Sequence, residues 1–499
     1  MIHYISSVTD ARYGVNILEE LPPSGVRGTG TNIVAAIADL PWGPVNEPTS
    51  VSSTGELFST FAPEAFGVLN DYQALKAFIN KTFPNLVQVI RIAATGQATA
   101  AFTFTYAGPT DALVATARHP GAIGNQIAVQ ILANVDTPAN RDVIVTIGTA
   151  YTSPRYENVV VDNGGSITVN DPGDPFVAFT EAAGPPVSPP DVIAATLLTG
   201  GADGTAVAGD YLGSGGTSGL DLLSDASLAW SVAFVAECPS GLVDAVNAGI
   251  KAFQDTHARG FIPLCTVPAQ TSATALTYAS SYRSDRSSYH WPLVKVVNTF
   301  DPDRGVILVD GNSFAAVAVA SVAPELSPGG APGAPFLRGI LGLETAASLI
   351  TLNALNAAGV APWFMSTPLE GAIIHKGITT SLVPGLEQIF RRRMTDFILS
   401  SMANFLEQYV GNLLDLDLAS STLGPVTAPE IGALNQFLDD LRQNNRIRDY
   451  SIDPFSGNVQ ANIDAGTWII LLAVKLLSVQ DVIILKASIG ESVEIIPQT

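Results

Sequence analysis

Apolar positions recur with a period of two along short runs at 102–106, 127–132 and 143–147, and a continuous apolar run follows at 159–161. A period of two puts every second side chain on one face of an extended strand. Gly, Pro, Asn and Asp separate the runs and supply turn geometry. The pattern predicts a β-sandwich or barrel over residues 98–197. Its exit linker carries Pro172, Pro175, Pro185, Pro186, Pro189 and Pro190. On both sides of this block the period changes. Tyr72, Leu75, Phe78 and Ile79 share one face of a helix over 71–81, and Val243, Val246, Ile250 and Phe253 one face of a helix over 242–256. Apolar runs at 29–38, 87–92, 230–237 and 260–267 read as strands, and strand, helix and strand at these lengths make α/β units. Further strands are expected at 294–297 and 306–309, helices at 314–323 and 344–357, and a Pro- and Gly-rich surface loop at 327–335.

The last third carries two helical stripes. Phe390, Met394, Phe397, Ile398, Phe405, Tyr409 and Leu413 line a helix over 387–414. Thr427-Ala428-Pro429-Glu430 has the form of a capping box with Pro in the first turn, opening a helix faced by Ile431, Leu434, Leu438 and Leu441. Strands are expected at 447–452, 459–463, 468–477 and 482–496. The first residues carry β-prone Ile5, Val8, Val15 and Ile17, no helical period, and end at Pro22-Pro23, as an extended arm does. The fold class is α/β, an α+β core with a β-sandwich/barrel insertion, multi-domain and with arms at both ends. The expected order is an N-terminal arm 1–24, the first part of the α/β core 25–97, the β-rich insertion 98–197, the core continued 198–357, a C-terminal domain 358–481 and an arm strand 482–499.

Length supports several domains, since 499 residues exceed the roughly 250–300 at which single cores stop growing. Hydrophobic content of 47% with only 14% charged residues leaves a surface of small and polar residues that suits packing against other subunits. The net charge is −21, and residues 101–250 hold three basic side chains against fifteen acidic ones. That balance argues against nucleic-acid binding through phosphate neutralisation. Cys238 and Cys265 lie in apolar strand-like runs and are expected to be buried, inert thiols of a protein made in a reducing cytoplasm. Met1-Ile2-His3-Tyr4 lacks the blocks of a signal peptide. The apolar run 468–485 is broken by Lys475 and Asp481, so strands and no membrane insertion are expected.

Chemistry is not advertised. His3, His119, His257, His290 and His375 lack the spacing of a zinc helix. The Gly-rich run 209–219 lacks the Lys-Ser/Thr ending of a phosphate loop, and 301–305 lacks the acidic closer of a calcium loop. No catalytic set, cofactor or metal is expected. Arg391-Arg392-Arg393 reads as a solvated helix face or an intersubunit contact.

The segment 117–131 combines Pro120-Gly121, Gly124-Asn125 and an alternating strand, Ile127, Val129 and Ile131. It resembles a signature of contractile-tail sheath proteins. The resemblance continues in the family's order through Gly43-Pro44-Val45-Asn46-Glu47-Pro48, Glu56 to Phe61, Ala74 to Ile79 with Val89-Ile90-Arg91-Ile92, and Gly200-Gly201-Ala202-Asp203-Gly204 followed by Asp210-Tyr211. Arg338-Gly339 departs from it, being followed by Ile340-Leu341-Gly342. The resemblance implies a structural subunit of a phage tail sheath, stacked as six-fold rings around a tail tube and contracting without nucleotide. It implies self-association through strand addition by both arms, assigned to Ile2, Tyr4, Ile5, Val15 and Ile17 and to Val482, Ile484, Lys486 and Ile495. It places the insertion on the outer surface and the C-terminal domain near the tube, with Arg442, Arg446 and Arg448 on that side. Tail tube, baseplate and tail terminator proteins are the implied partners, and the virion, assembled in the host cytoplasm, the implied location. A tube or baseplate component, or an acidic β-rich hydrolase, are the alternatives.

Overall fold

Two units make up the chain: Gly30–Asp396, and a second gathered from both ends, Met1–Thr29 with Phe397–Thr499. The computed structural model describes residues 2–5, 15–18, 26, 30, 32–66, 86–108, 110–184, 186–225, 227–298 and 305–478. The helix expected over 71–81 and the strand expected over 482–496 lie outside the described residues. In the terminal unit, β1 (Ile2–Ile5) and β2 (Val15–Leu18) pair in parallel, with Ile2 opposite Val15 and Tyr4 opposite Ile17.

The larger unit is built on β3 (Ile33–Ala38), β4 (Thr49–Val51) and β5 (Leu86–Arg91). Val34, Ala35, Ala36, Ile37 and Ala38 of β3 are all fully buried, because helices cover both faces of its sheet. Ala36 and Ala38 meet Ala316, Val319 and Ala320 of the helix Asn312–Ser321. Ala35 and Ile37 belong to the opposite layer, with Val246 and Ile250 of the helix Val243–His257. Small alanines on β3 leave room for close approach on both sides.

Between β5 and the return to this sheet lies the insertion. Its strands are β6 (Ala101–Tyr106), β7 (Thr110–Ala117), β8 (Ile127–Ala133), β9 (Arg141–Ile147), β10 (Tyr151–Thr152), β11 (Tyr156–Asp162), β12 (Ile167–Val169), β13 (Val177–Glu181) and β14 (Ile193–Leu197). One sheet runs β12-β11-β9-β8-β14 with β10 on β9, and the other β13-β7-β6. Ile127, Val129 and Ile131 of β8 and Val143, Val145 and Ile147 of β9 share one apolar core with Phe104, Leu113 and Phe179 of the second sheet. Of the two expected forms the structure has two sheets over one core, and the described residues form no barrel. The Pro-rich exit is more than a linker. β13 falls inside it and β14 follows it directly, because the prolines stand at strand flanks and leave five-residue stretches free of Pro.

β15 (Val232–Val235) completes the central sheet in the order β15-β3-β5-β4, with β15, β3 and β5 parallel. Phe261 bridges Val232 in parallel, yet 260–267 is not a continuous strand. Pro263 has no amide N–H to give a ladder. β16 (Val294–Val297), β17 (Val306–Val309) and β18 (Ile340–Leu343) form a second sheet, and β19 (Trp363–Ser366) pairs with β20 (Gly371–Ile374). The expected helix over 344–357 begins at Leu349, where the Ser348 side chain accepts from the Thr351 amide.

The helix Ile389–Leu406 ends earlier than its stripe predicts. A single 3-10 turn, Glu407–Tyr409, follows it, and Gly411 (φ 96°) carries the chain away, leaving Val410 and Leu413 83% and 79% exposed. In the terminal unit β21 (Leu416–Asp417) and β22 (Thr422–Leu423) form a small ladder. The helix Ala428–Gln443 has Pro in its first turn, but no capping box forms. Thr427 instead donates its hydroxyl to the Asp415 carbonyl, 2.5 Å away. β23 (Ile447–Asp453) and β24 (Leu471–Leu476) pair antiparallel. The expected strand over 459–463 is a short helix, Gln460–Asp464. An apolar run this short has no period that distinguishes the two states.

Candidate functional site

Pieces that carry the sheath resemblance, at 43–48, 89–92, 117–131 and 200–211, meet at the neck of the insertion. Arg91, the last residue of β5, is fully buried. Its Nε donates to the Leu40 carbonyl at 2.7 Å and its Nη1 to Gly43 at 2.7 Å. Its Nη2 donates to Pro41 at 3.3 Å and to Pro120 at 2.7 Å. One guanidinium fork therefore ties the turn after β3 to the turn that leads into β8. Gly121 sits beside it at φ 141°, and a Cβ there would lie 2.8 Å from the Pro41 carbonyl. Asn125 closes a reciprocal pair with Gly201, donating to its carbonyl and accepting from its amide, both at 2.9 Å. The Asp203 carboxylate accepts from the Ala122 amide at 2.7 Å. Asp210 accepts from the Thr95 amide at 3.0 Å. His119 packs edge-on to Trp42, and burial, then the charges on Arg91 and Arg118, holds it neutral with a pKa lowered to about 4.

The terminal unit offers open sheet edges. Among the described residues no third strand pairs with β1–β2, and none with β23–β24. β24 alternates exposed and half-buried positions, and Leu471 is 46% exposed. Ile2, Tyr4, Ile5, Val15 and Ile17 come together in the parallel ladder. Val482, Ile484, Lys486 and Ile495 lie outside the described residues. The three arginines differ in environment. Arg442 pairs with Asp439 at 2.6 Å and stacks over Tyr450, 5.6 Å from its centroid. Arg446 lies over Phe397 at 4.9 Å. Arg448 is exposed on β23 and forms no ion pair among the described residues.

The triple arginine is not one surface patch. Arg393 is buried and donates to the Val322 carbonyl at 2.7 Å, and burial lowers its pKa to about 10. Arg392 pairs with Asp396 at 2.6 Å and with Asp285 at 3.3 Å. Asp396 also binds Arg286 at 2.7 Å. Spacing along the helix gives Asp396, four residues on, but not Asp285 or Arg286, which come from a loop over a hundred residues earlier.

A cavity of about 530 Å³ opens beyond the carboxyl ends of β3 and β15, lined by Asp39, Asp203, Glu237, Cys238 and Asp310 among others. β5 lies on one side of β3 and β15 on the other, so the strand order reverses at this crevice, the place where open α/β sheets hold ligands. Asp310 accepts from the Thr266 amide at 2.9 Å and the Asn312 amide at 3.0 Å. Burial outweighs those bonds and pushes its pKa up to about 6. Between the ordinary value of 3.8 and about 6 the folded state keeps a proton that the unfolded state has lost. This stabilisation is present at low pH and is lost as pH rises through about 6. Asp310→Asn removes this titrating group, so the variant's stability relative to wild type will rise between about pH 4 and about pH 7. Denaturant melts of both proteins across that range check this, and a pH-independent difference contradicts it. Cys265 is buried as expected, but Cys238 is only half-buried and forms part of the cavity wall.

No family model matches the chain, and no curated protein matches it in sequence. Solved structures do. The sheath tail protein of Desulfitobacterium hafniense aligns with 93% of this chain and 100% of its own, at a TM-score of 0.58 and 14% identity. The sheath tail protein of Listeria innocua aligns with 90% of this chain and 96% of its own, at 0.61 and 13%. The helical sheath of the anti-feeding prophage in its contracted state aligns with 97% and 99%, at 0.55 and 12%. The chain has the fold of sheath tail proteins. At such identity the likeness is one of fold, and it runs nearly end to end. The neck residues could be found in the sequence only through the family pattern. Arg91 binds carbonyl oxygens, which every residue carries, so no side-chain spacing announces its partners.

Proposed function

We propose that this chain is the structural subunit of a contractile tail sheath. It polymerises as stacked six-fold rings around a tail tube, and contraction of the lattice drives the tube through a host envelope. The observation that carries the reading is the sheath-protein fold over 93% of this chain and the whole of a sheath tail protein. The open ladders β1–β2 and β23–β24 support it. A lone two-stranded ladder is marginal in water, and each leaves edges that added strands would satisfy. In this reading residues 2–17 and 482–496 cross to neighbouring subunits, and an exposed edge such as β24 receives strands from them. Energy is stored in the extended lattice, so the protein acts as a structural element and not as an enzyme. Assembly takes place in the host cytoplasm on a baseplate and ends at a terminator, and the mature location is the virion tail or a related injection particle.

Arg448 is the clean probe of the tube-facing side, because its charge is uncommitted among the described residues while Arg442 and Arg446 hold local contacts. Arg448→Glu will leave sheath polymers of normal length but loosen their attachment to tubes, roughly tenfold or more for a lost buried ion pair. Cosedimentation of sheath with preformed tubes at low and high salt measures it. Unchanged attachment contradicts the placement of β23 toward the tube.

A further inference from the structure

Cys238 lines the cavity, and Cys265, just before the lining residue Thr266, belongs to the same apolar cluster. Val232 of β15 bridges Phe261 in parallel, and Asn312 Nδ2 donates both to the Val235 carbonyl at 2.8 Å and to the Cys265 sulfur, so Cys265 lies beside the end of β15, three residues before Cys238. Glu237, in left-handed backbone at φ 44°, redirects the chain between those positions. Both thiols belong to one apolar cluster, Cys265 fully buried and Cys238 packed at its margin. Both also act on the buried Tyr211 hydroxyl, which burial first, then Asp39 and the two thiols, raise. The Cys265 thiol is pushed well above its usual range by a hydrogen bond with Cys238 and by burial. Its sulfur accepts from Asn312 Nδ2 at 3.8 Å. Neither cysteine is in a disulfide.

The entrance has a sign. Asp39, Asp203, Glu237 and Asp310 line the cavity, and its described lining holds no Lys, Arg or His. A low-dielectric cleft lined by one charge concentrates ligands of the opposite sign and excludes those of its own. We propose that Cys238 and Cys265 form a dithiol site that closes to an intramolecular disulfide by exchange with a small cationic disulfide admitted through this acidic cavity. The Cys238 thiolate attacks one sulfur of the reagent, forms a mixed disulfide and expels one thiolate, which takes up a proton. Cys265 then gives up its proton and attacks the Cys238 sulfur, forming the internal bond and expelling the second thiolate. Two electrons and two protons pass from the protein thiols to the reagent, which leaves as two thiols. Cys238, with access to the cavity, is the attacking residue, and buried Cys265 the resolving one.

The test uses the reduced full-length chain with cystamine as the cationic reagent and dithiodiglycolate as an anionic one. Cystamine is expected to give a product lighter by two hydrogens, with Cys238 and Cys265 in one cross-linked peptide by mass spectrometry. Its reaction will be about tenfold or more faster than that of dithiodiglycolate at low salt, and the ratio will shrink as salt rises. Cys265→Ser will stop at a mixed disulfide on Cys238, and Cys238→Ser will leave Cys265 unreactive in the folded protein. Should either variant misfold, the wild-type product and rate ratio still decide. A wild type that forms only cross-links between chains, stays capped on both thiols, or remains unreactive overturns the dithiol site. Equal rates for the two reagents overturn the acidic route to it.

Discussion

Subunits lacking residues 1–12, or residues 486–499, will fold and yet fail to form long sheaths. The first deletion removes β1 and leaves β2 without its partner, while the cores of the larger unit contain no residue from either segment. Circular dichroism and melting of the truncated chains should therefore stay close to wild type. Assembly should not. A strand of about four to six residues donates that many cross-strand pairs, each contributing about 0.2–1 kcal/mol. One arm is then worth roughly 1–6 kcal/mol per contact, a change from about fivefold to about twenty-thousand-fold in association constant. Since every subunit makes the contact, the loss multiplies along the polymer and shortens it. Polymer length on negative-stain micrographs measures the effect. Sheaths of normal length from both truncations would sink the arm assignment.

Arg91→Ala will produce the largest stability loss of any single change at the neck. The substitution leaves the carbonyls of Leu40, Pro41, Gly43 and Pro120 without the donor that now satisfies them in a buried site. Removing one side of a buried charged hydrogen-bond set costs about 3–5 kcal/mol. The damage should be local first: faster hydrogen exchange at 40–43 and 120–122, and protease cleavage that releases the insertion from the core. Arg91→Lys should recover only part, because a single ammonium cannot span carbonyls held by three nitrogens of a planar fork. If Arg91→Ala leaves exchange and cleavage at the neck unchanged, the guanidinium is not what joins the two segments.

How much was legible follows from which signals are local. β8 and β9 were readable because one buried face imposes a period of two, and the helix Val243–His257 because its stripe repeats every three to four residues. β13 was hidden by prolines on both sides and β14 by those before it, since the effect of a proline depends on where it stands relative to a ladder. Thr427 has the sequence of a cap but spends its hydroxyl on Asp415, a tertiary choice outside the local pattern. The same holds for the Arg392–Asp285 pair and the Arg393–Val322 bond, whose partners are distant in the chain. The motif over 117–131 was legible as a family mark before its role was. Its turn is the seat of the Arg91 fork, so it joins the insertion to the core rather than serving the insertion alone.

The central claim is polymerisation in a sheath lattice, and electron microscopy of the purified full-length chain tests it most directly. The account predicts helical cylinders built from stacked six-fold rings. Monodisperse monomers at every protein concentration, with no cylinders on or off a tail tube, would contradict it.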